Sequence, residues 1–204
     1  MRVGVIECGG NLTSVVNALT RVGAAVKRVG DPSAIGDLDR LVLPGVGSFA
    51  RTMDRLHDGG FIEAIRRYAA ERRGWLLGIC VGMQVLADRG TEFGDREGLG
   101  LVPGVVTKLD TRATGERLPH MGWNAVSVVN GCPLLRGLDD PTFYFVHSYR
   151  FDAARKEHVA GWCDYAGRFC AAIQRQNVYG VQFHPEKSQA DGLRLLGNFV
   201  NGVD

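Results

Sequence analysis

Five short apolar runs constrain this chain more than any other feature: Val3–Ile6, Leu41–Leu43, Trp75–Ile79, Phe143–Val146 and Val178–Phe183. Continuous apolar runs of this length, bounded by Gly or Pro, suit strands buried between two helix layers. Helical spacings separate the first three, with Leu12, Val15, Val16 and Leu19 in one stretch and Phe61, Ile62, Ile65 and Ala69 in another. A further helix is expected after Gly82, and a last one over Gly192 to Val200. Strands alternating with helices predict an α/β fold: an open, mainly parallel sheet flanked by helices, with right-handed crossovers. Between about Gly98 and Val129 the pattern changes. Val102, Val105, Val106, Ala125, Val126, Val128 and Val129 lie among Gly, Pro and Thr with no helical period, which predicts added edge strands, some antiparallel. The 204 residues contain no repeat and no low-complexity linker, so one domain spanning 1–204 is expected.

Charge and cysteine usage narrow the functional classes. A formal net charge of +2 is too small for a nucleic-acid footprint. Arg66, Arg67, Arg72 and Arg73 cluster on an expected helix from Phe61 to Arg73, where a solvated face is the ordinary reading and partner docking the other. Cys8, Cys80, Cys132, Cys163 and Cys170 are odd in number and form no C-x-x-C pair, which argues against a disulfide framework or a metal site. The first residues read as a buried strand, not a signal peptide, and no run approaches the ~18 apolar residues of a membrane span. Asn11-Leu12-Thr13 matches a glycosylation sequon that means nothing without secretion. These features point to the cytoplasm.

The most informative stretch is Trp75-Leu76-Leu77-Gly78-Ile79-Cys80-Val81-Gly82-Met83-Gln84, an apolar strand running through Gly-x-Cys-x-Gly into a helical pattern. This is the thiol form of a nucleophile elbow, whose tight turn needs small flanking residues and lifts the side chain to the sheet's C-terminal edge. A following helix N-terminus would favour the thiolate. A cysteine beside an apolar run is more often a buried structural thiol. The two glycines bring the readings level, and chemistry elsewhere must decide.

That chemistry comes in Tyr179-Gly-Val-Gln-Phe-His184-Pro-Glu186-Lys-Ser188. Pro185 ends the strand, so His184 also sits at a strand end, and Glu186 two residues on can orient one imidazole nitrogen while the other faces a thiol. Nucleophile, base and orienter are the parts of covalent acyl transfer. His57 and His158 lie in polar, surface-like context, whereas His120 and His147 sit in aromatic surroundings that suggest positioning or packing. A third piece, Leu41-Val-Leu-Pro44-Gly-Val46-Gly47-Ser-Phe49, ends a buried strand in a loop whose backbone N–H groups can face an anion. It lacks the Lys and spacing of a P-loop. Beside a thiolate, an oxyanion hole from the amides of Val46 and Val81 is the better reading.

With these pieces together the sequence resembles the class I (triad) glutamine amidotransferases, through Gly78-Ile-Cys-Val-Gly-Met-Gln84 and Gln182-Phe-His-Pro-Glu186. It is similar more narrowly to the glutaminase subunits of imidazole glycerol phosphate synthases, through Pro44-Gly-Val-Gly47, Leu118-Pro-His-Met-Gly-Trp-Asn124 and Tyr144-Phe-Val-His-Ser-Tyr149. The resemblance implies that Cys80 attacks the glutamine amide, that His184 shuttles the proton and that Glu186 holds His184. It implies that Gly47, Gln84, Glu92, Ser148 and Tyr149 bind glutamine. It implies that Pro119, His120, Met121, Trp123 and Asn124 face a (βα)8-barrel synthase that receives the ammonia. No cofactor, metal, nucleic acid or membrane is implied.

Two departures stand out. Ile6-Glu7-Cys8-Gly9-Gly10-Asn11-Leu12 is one residue shorter than the family's usual loop, with Glu7 or Ile6 in place of a common Asp, and Val81 stands where Leu is usual. The altered loop keeps a second reading open, the same chemistry serving a related synthase such as one amidating a surface-polysaccharide sugar. A third reading is a regulatory subunit with lost catalysis, and the intact Cys80, His184 and Glu186 argue against it. An isolated glutaminase that burned glutamine without an acceptor would waste it. An amide of the Pro44–Gly47 loop is therefore expected to turn inward only with the partner and its ligand bound.

Overall fold

The strands that build the site are those whose side chains have no wet face to turn to. The computed structural model describes residues 1–9, 12–71, 74–129 and 131–202; Asn11 of the sequon and Arg72 and Arg73 of the arginine run lie outside them. In chain order the strands are β1 (Arg2–Ile6), β2 (Ala25–Val29), β3 (Arg40–Gly45), β4 (Trp75–Cys80), β5 (Arg89–Gly90), β6 (Arg96–Glu97) and β7 (Gly104–Lys108). They continue with β8 (His120–Ala125), β9 (Ser127–Val128), β10 (Thr142–His147), β11 (Tyr149–Ala153), β12 (Val159–Asp164), β13 (Arg168–Arg175) and β14 (Val178–Val181). The helices are α1 (Leu12–Arg21), α2 (Phe49–Asp58), α3 (Phe61–Ala70), α4 (Val81–Gln84) and α5 (Gln189–Asn201).

The main sheet runs β2-β1-β3-β4-β14-β13-β11-β7-β5-β6, with β12 and β9 joined to β13 off this path. Its first five strands are parallel, and antiparallel pairing begins where β14 meets β13. The chain leaves β1 towards β2 but returns on the other side to β3 and β4, so right-handed crossovers place α1 and the α2–α3 pair on opposite faces. Each helix turns its apolar stripe inward: α1 buries Val15, Ala18 and Leu19, and α3 buries Phe61, Ile65, Tyr68 and Ala69. α5 docks Leu195, Leu196, Phe199 and Val200, and the carbonyl of Phe199 accepts a hydrogen bond from Arg40 Nε at 3.0 Å. Buried side chains from Val3 to Val200 form one connected core.

Three expectations need correction. The run Phe143–Val146 is not a buried strand of the main sheet: among the described residues β10 pairs only with β8, in a separate two-stranded ladder, and its burial alternates because one face is only partly covered. The helix after Gly82 is a single turn, Val81–Gln84, because Val85 to Ala87 bend away into the β5 hairpin; a lasting helix dipole at Cys80 is therefore not part of the site. His158, read as a surface histidine, is buried at the start of β12. Among the described residues no helix is long and apolar enough to cross a membrane.

Candidate active site

Cys80 ends β4 and adopts φ 55° and ψ −113°, a conformation that L-residues rarely hold and that marks a strained elbow. The flanking glycines are required by packing. A Cβ on Gly82 would lie 1.8 Å from the Leu43 carbonyl oxygen, and one on Gly78 2.5 Å from the Gly82 carbonyl oxygen, so only hydrogen lets β3, β4 and the turn interlock. Gly45 and Cys80 are register partners at the C-terminal ends of β3 and β4. β14 lies parallel on the other side of β4 and carries the chain to His184, just past its end. Three neighbouring strand ends thus converge on one crevice, where open α/β sheets place their ligands.

His184 is 4% exposed, and its Nδ1 donates to Glu186 Oε1 at 2.8 Å. Its other nitrogen is left for Cys80, which borders the same cavity. Burial alone would lower the imidazole pKa, and it is the largest single influence. The influence of Cys80 and the hydrogen bond and charge of Glu186 together outweigh it and raise the value to about 9, so the ring carries a proton at neutral pH. The backbone N–H of His184 is tied to the Tyr144 carbonyl at 2.9 Å, which fixes the ring's base.

A cavity of about 350 Å³ opens onto the sulfur, lined by Val46, Gly47, Cys80, Val81, Gln84, Glu92, Pro119, Val146, His147, Ser148, Tyr149 and His184. The residues implied for glutamine binding and for the oxyanion hole therefore all border one chamber. Gly47 has φ +97° with nothing near its Cα hydrogen, so its glycine serves the backbone turn and not a close contact. Glu92 Oε2 accepts from the Phe49 N–H at 2.8 Å, pinning the start of α2, which Ser48 also caps.

A model of glutamine amidotransferase class-I matches residues 4–202. The chain belongs to the class-I glutamine amidotransferases. An imidazole glycerol phosphate synthase subunit HisH of Syntrophotalea carbinolica is 44% identical over 96% of this chain and 97% of its own. The chloroplastic imidazole glycerol phosphate synthase hisHF of Arabidopsis thaliana is 43% identical over 94% of this chain, which matches 32% of that longer protein. A crystal structure of a glutamine amidotransferase superposes with TM-score 0.78 at 21% identity, covering 98% of this chain and 99% of its own, a likeness of fold.

Within this amidotransferase the stretch implied to face a partner divides. Met121 and Trp123 are 62% and 48% exposed on one side of β8, and Pro119 borders the cavity. Asn124 is half-buried, and His120 is only 3% exposed because strand alternation turns it inward, so its side chain presents no surface to a partner. Gln182 belongs to the site although the sequence implies no role for it. It is fully buried, and its Nε2 lies 3.7 Å from the Cys80 sulfur while its Oε1 accepts from Gln84 Nε2 at 3.0 Å. The available signal was an amide inside an otherwise apolar run. The first loop also reaches the site: the Cys8 thiol donates to the Pro44 carbonyl at 2.6 Å, and Arg55 Nη1 donates to the Cys8 carbonyl at 3.1 Å.

Proposed function

We propose that this chain is the glutaminase subunit of an imidazole glycerol phosphate synthase, releasing ammonia from glutamine for a barrel synthase in histidine biosynthesis. The observation that carries the reading is the Cys80–His184–Glu186 line at the mouth of the cavity, in a chain 44% identical over nearly its full length to a HisH subunit. The match over 4–202 and the continuous core support reading 1–204 as one amidotransferase domain.

Cys80 sulfur attacks the side-chain amide carbon of glutamine, and the amides of Val46 and Val81 receive the negative oxygen. His184 gives its proton to the departing nitrogen as the C–N bond breaks, leaving a thioester and ammonia. His184 then takes a proton from water, whose oxygen attacks the thioester and frees glutamate and the thiol. Glu186 keeps the ring in the tautomer that faces sulfur. Gly47, Gln84, Glu92, Ser148 and Tyr149 hold the amino-acid end of glutamine. Pro119, Met121, Trp123 and Asn124 form the rim towards the (βα)8-barrel partner. This thiol chemistry uses no cofactor. The reducing cytoplasm suits five cysteines that are all buried and free.

The test is glutamate release from glutamine by the wild type and by Cys80→Ala, each with and without the co-produced barrel synthase and its ribulosyl ligand. Ligand-dependent release that Cys80→Ala abolishes is expected. Release that needs a different synthase would favour the related-pathway reading, and none under any condition would favour a non-catalytic subunit.

A further inference from the structure

Two buried histidines that the mechanism does not use, His147 in the cavity wall and His120 behind it, stand opposite each other across a strand pair. His120 opens β8 and His147 closes β10, and the two are register partners. His120 Nδ1 lies 3.0 Å from His147 Nε2. The His120 ring is stacked between Phe145 at 4.7 Å and Tyr165 at 4.0 Å, so it has no freedom to turn.

The direction of this bond is set independently from both ends. At one end His147 Nδ1 lies 2.8 Å from the Tyr149 carbonyl, which can only accept, so Nδ1 carries the hydrogen. Burial pushes His147 down to about 3 and His120 to about 4, so both rings are neutral and each has one bare nitrogen. His147 Nε2 is then an acceptor and His120 Nδ1 its donor, which leaves His120 Nε2 bare. At the other end Asn124 Oδ1 accepts from the Ala125 N–H at 2.9 Å, and this orients the amide nitrogen towards the Asp164 carbonyl at 3.2 Å and His120 Nε2 at 3.5 Å. An amide nitrogen can only donate, as a bare Nε2 requires.

The line continues into the site. The Tyr149 carbonyl accepts a second hydrogen bond, from Gln84 Nε2 at 3.0 Å. The other Gln84 amide hydrogen goes to Gln182 Oε1 at 3.0 Å, and this turns the Gln182 N–H group to the Cys80 sulfur. We propose that His120 and His147 are a positioning pair, an uncharged directional relay that runs from Asn124 on β8 to the Tyr149 carbonyl and holds the Gln84 side of the pocket in register with Cys80. The proposal rests on the glutaminase reading, because it takes Gln84 and Tyr149 as the glutamine pocket. It also gives the buried His120 a way to link the β8 rim to that pocket without touching a partner.

Two measurements test it. Long-range ¹⁵N–¹H correlation spectra of the wild-type protein near neutral pH should show both rings neutral with hydrogen on Nδ1; a charged ring or an Nε2–H tautomer at either position overturns the relay. This readout needs no glutaminase activity, so it judges the pair even if the functional reading fails. The second is steady-state glutamine hydrolysis by the complex with its synthase, comparing His147→Asn with His147→Gln. The Asn amide nitrogen overlays the ring's Nδ1 and keeps the bond to Tyr149, whereas the Gln amide nitrogen overlays Nε2 and loses it. His147→Gln should raise KM for glutamine about fivefold or more with kcat changed less than about threefold, and His147→Asn should restore KM to within about twofold. Equal KM in the two variants, or a loss confined to kcat, would reduce His147 to packing and overturn the proposal. Should both variants fail to fold, the tautomer spectra alone decide.

Discussion

Replacing Glu186 with glutamine isolates the charge that Glu186 brings to His184, because the amide oxygen still accepts from Nδ1. The imidazole lies at about 9 against an ordinary 6.5, and a tenfold change in proton affinity is worth about 1.4 kcal/mol, so its surroundings favour the protonated ring by roughly 3 kcal/mol after the opposing effect of burial. Cys80 is the largest influence raising the value, with Glu186 next. A charge-assisted hydrogen bond is about twice as strong as a neutral one, so Glu186→Gln should lose roughly 1–1.5 kcal/mol and lower the titration by about one pH unit. Cys80→Ala should lower it further, since burial then acts against one fewer partner. The raised value also sets the sign of the stability effect. His184 stabilises the fold fully below its unfolded value of 6.5, and that stabilisation is lost as pH rises through about 9. The assay is an NMR titration of the His184 Cε1–H in wild type, Glu186→Gln and Cys80→Ala, with denaturant unfolding near pH 6 and near pH 10. At neutral pH, kcat/KM of Glu186→Gln should fall about tenfold. If Glu186→Gln leaves the titration unmoved, or lowers it more than Cys80→Ala does, the account of the triad's electrostatics is refuted.

Iodoacetamide should label Cys80 first: burial pushes Cys8 and Cys163 up to about 12 and raises Cys132 and Cys170 as well, and equal labelling of all five by mass spectrometry would contradict this. Gly82→Ala should unfold the chain or lower Tm sharply, because its Cβ meets the Leu43 carbonyl at 1.8 Å and the cost exceeds the ~1–3 kcal/mol of ordinary overpacking. Gly47→Ala meets no neighbour and should keep its fold at a strain of roughly 1–2 kcal/mol, yet lose kcat by displacing the loop that carries the Val46 amide; unchanged kcat would remove that loop from the oxyanion hole. Gln182→Leu should lower kcat about tenfold or more by removing the donor at sulfur and the Gln84 anchor; a variant with wild-type kinetics would show that neither contact matters to turnover.

The sequence by itself determined the parallel core, the elbow and the ordering of the three strand-end motifs. Each of these is local: an apolar run of strand length, a glycine on either side of Cys80, a proline after His184. β1, β3, β4 and β14 match the runs that predicted them to within a residue or two. Tertiary structure decided what depends on neighbours distant in the chain. Phe143–Val146 is as apolar as β4, yet it lies in a small ladder with β8, because hydrophobicity reports burial and not which strand supplies the hydrogen bonds. The turn after Cys80 stops at Gln84, where Val85 to Ala87 bend towards β5 and their carbonyls accept hydrogen bonds from the backbone of Leu99 to Val102. Gln182 joins the site only through a long-range contact, which places its amide beside the sulfur of a residue 102 positions earlier. Residue type and spacing carry local conformation and reactive potential. The partners that fix a side chain's direction, tautomer and proton affinity are chosen only when the sheet closes.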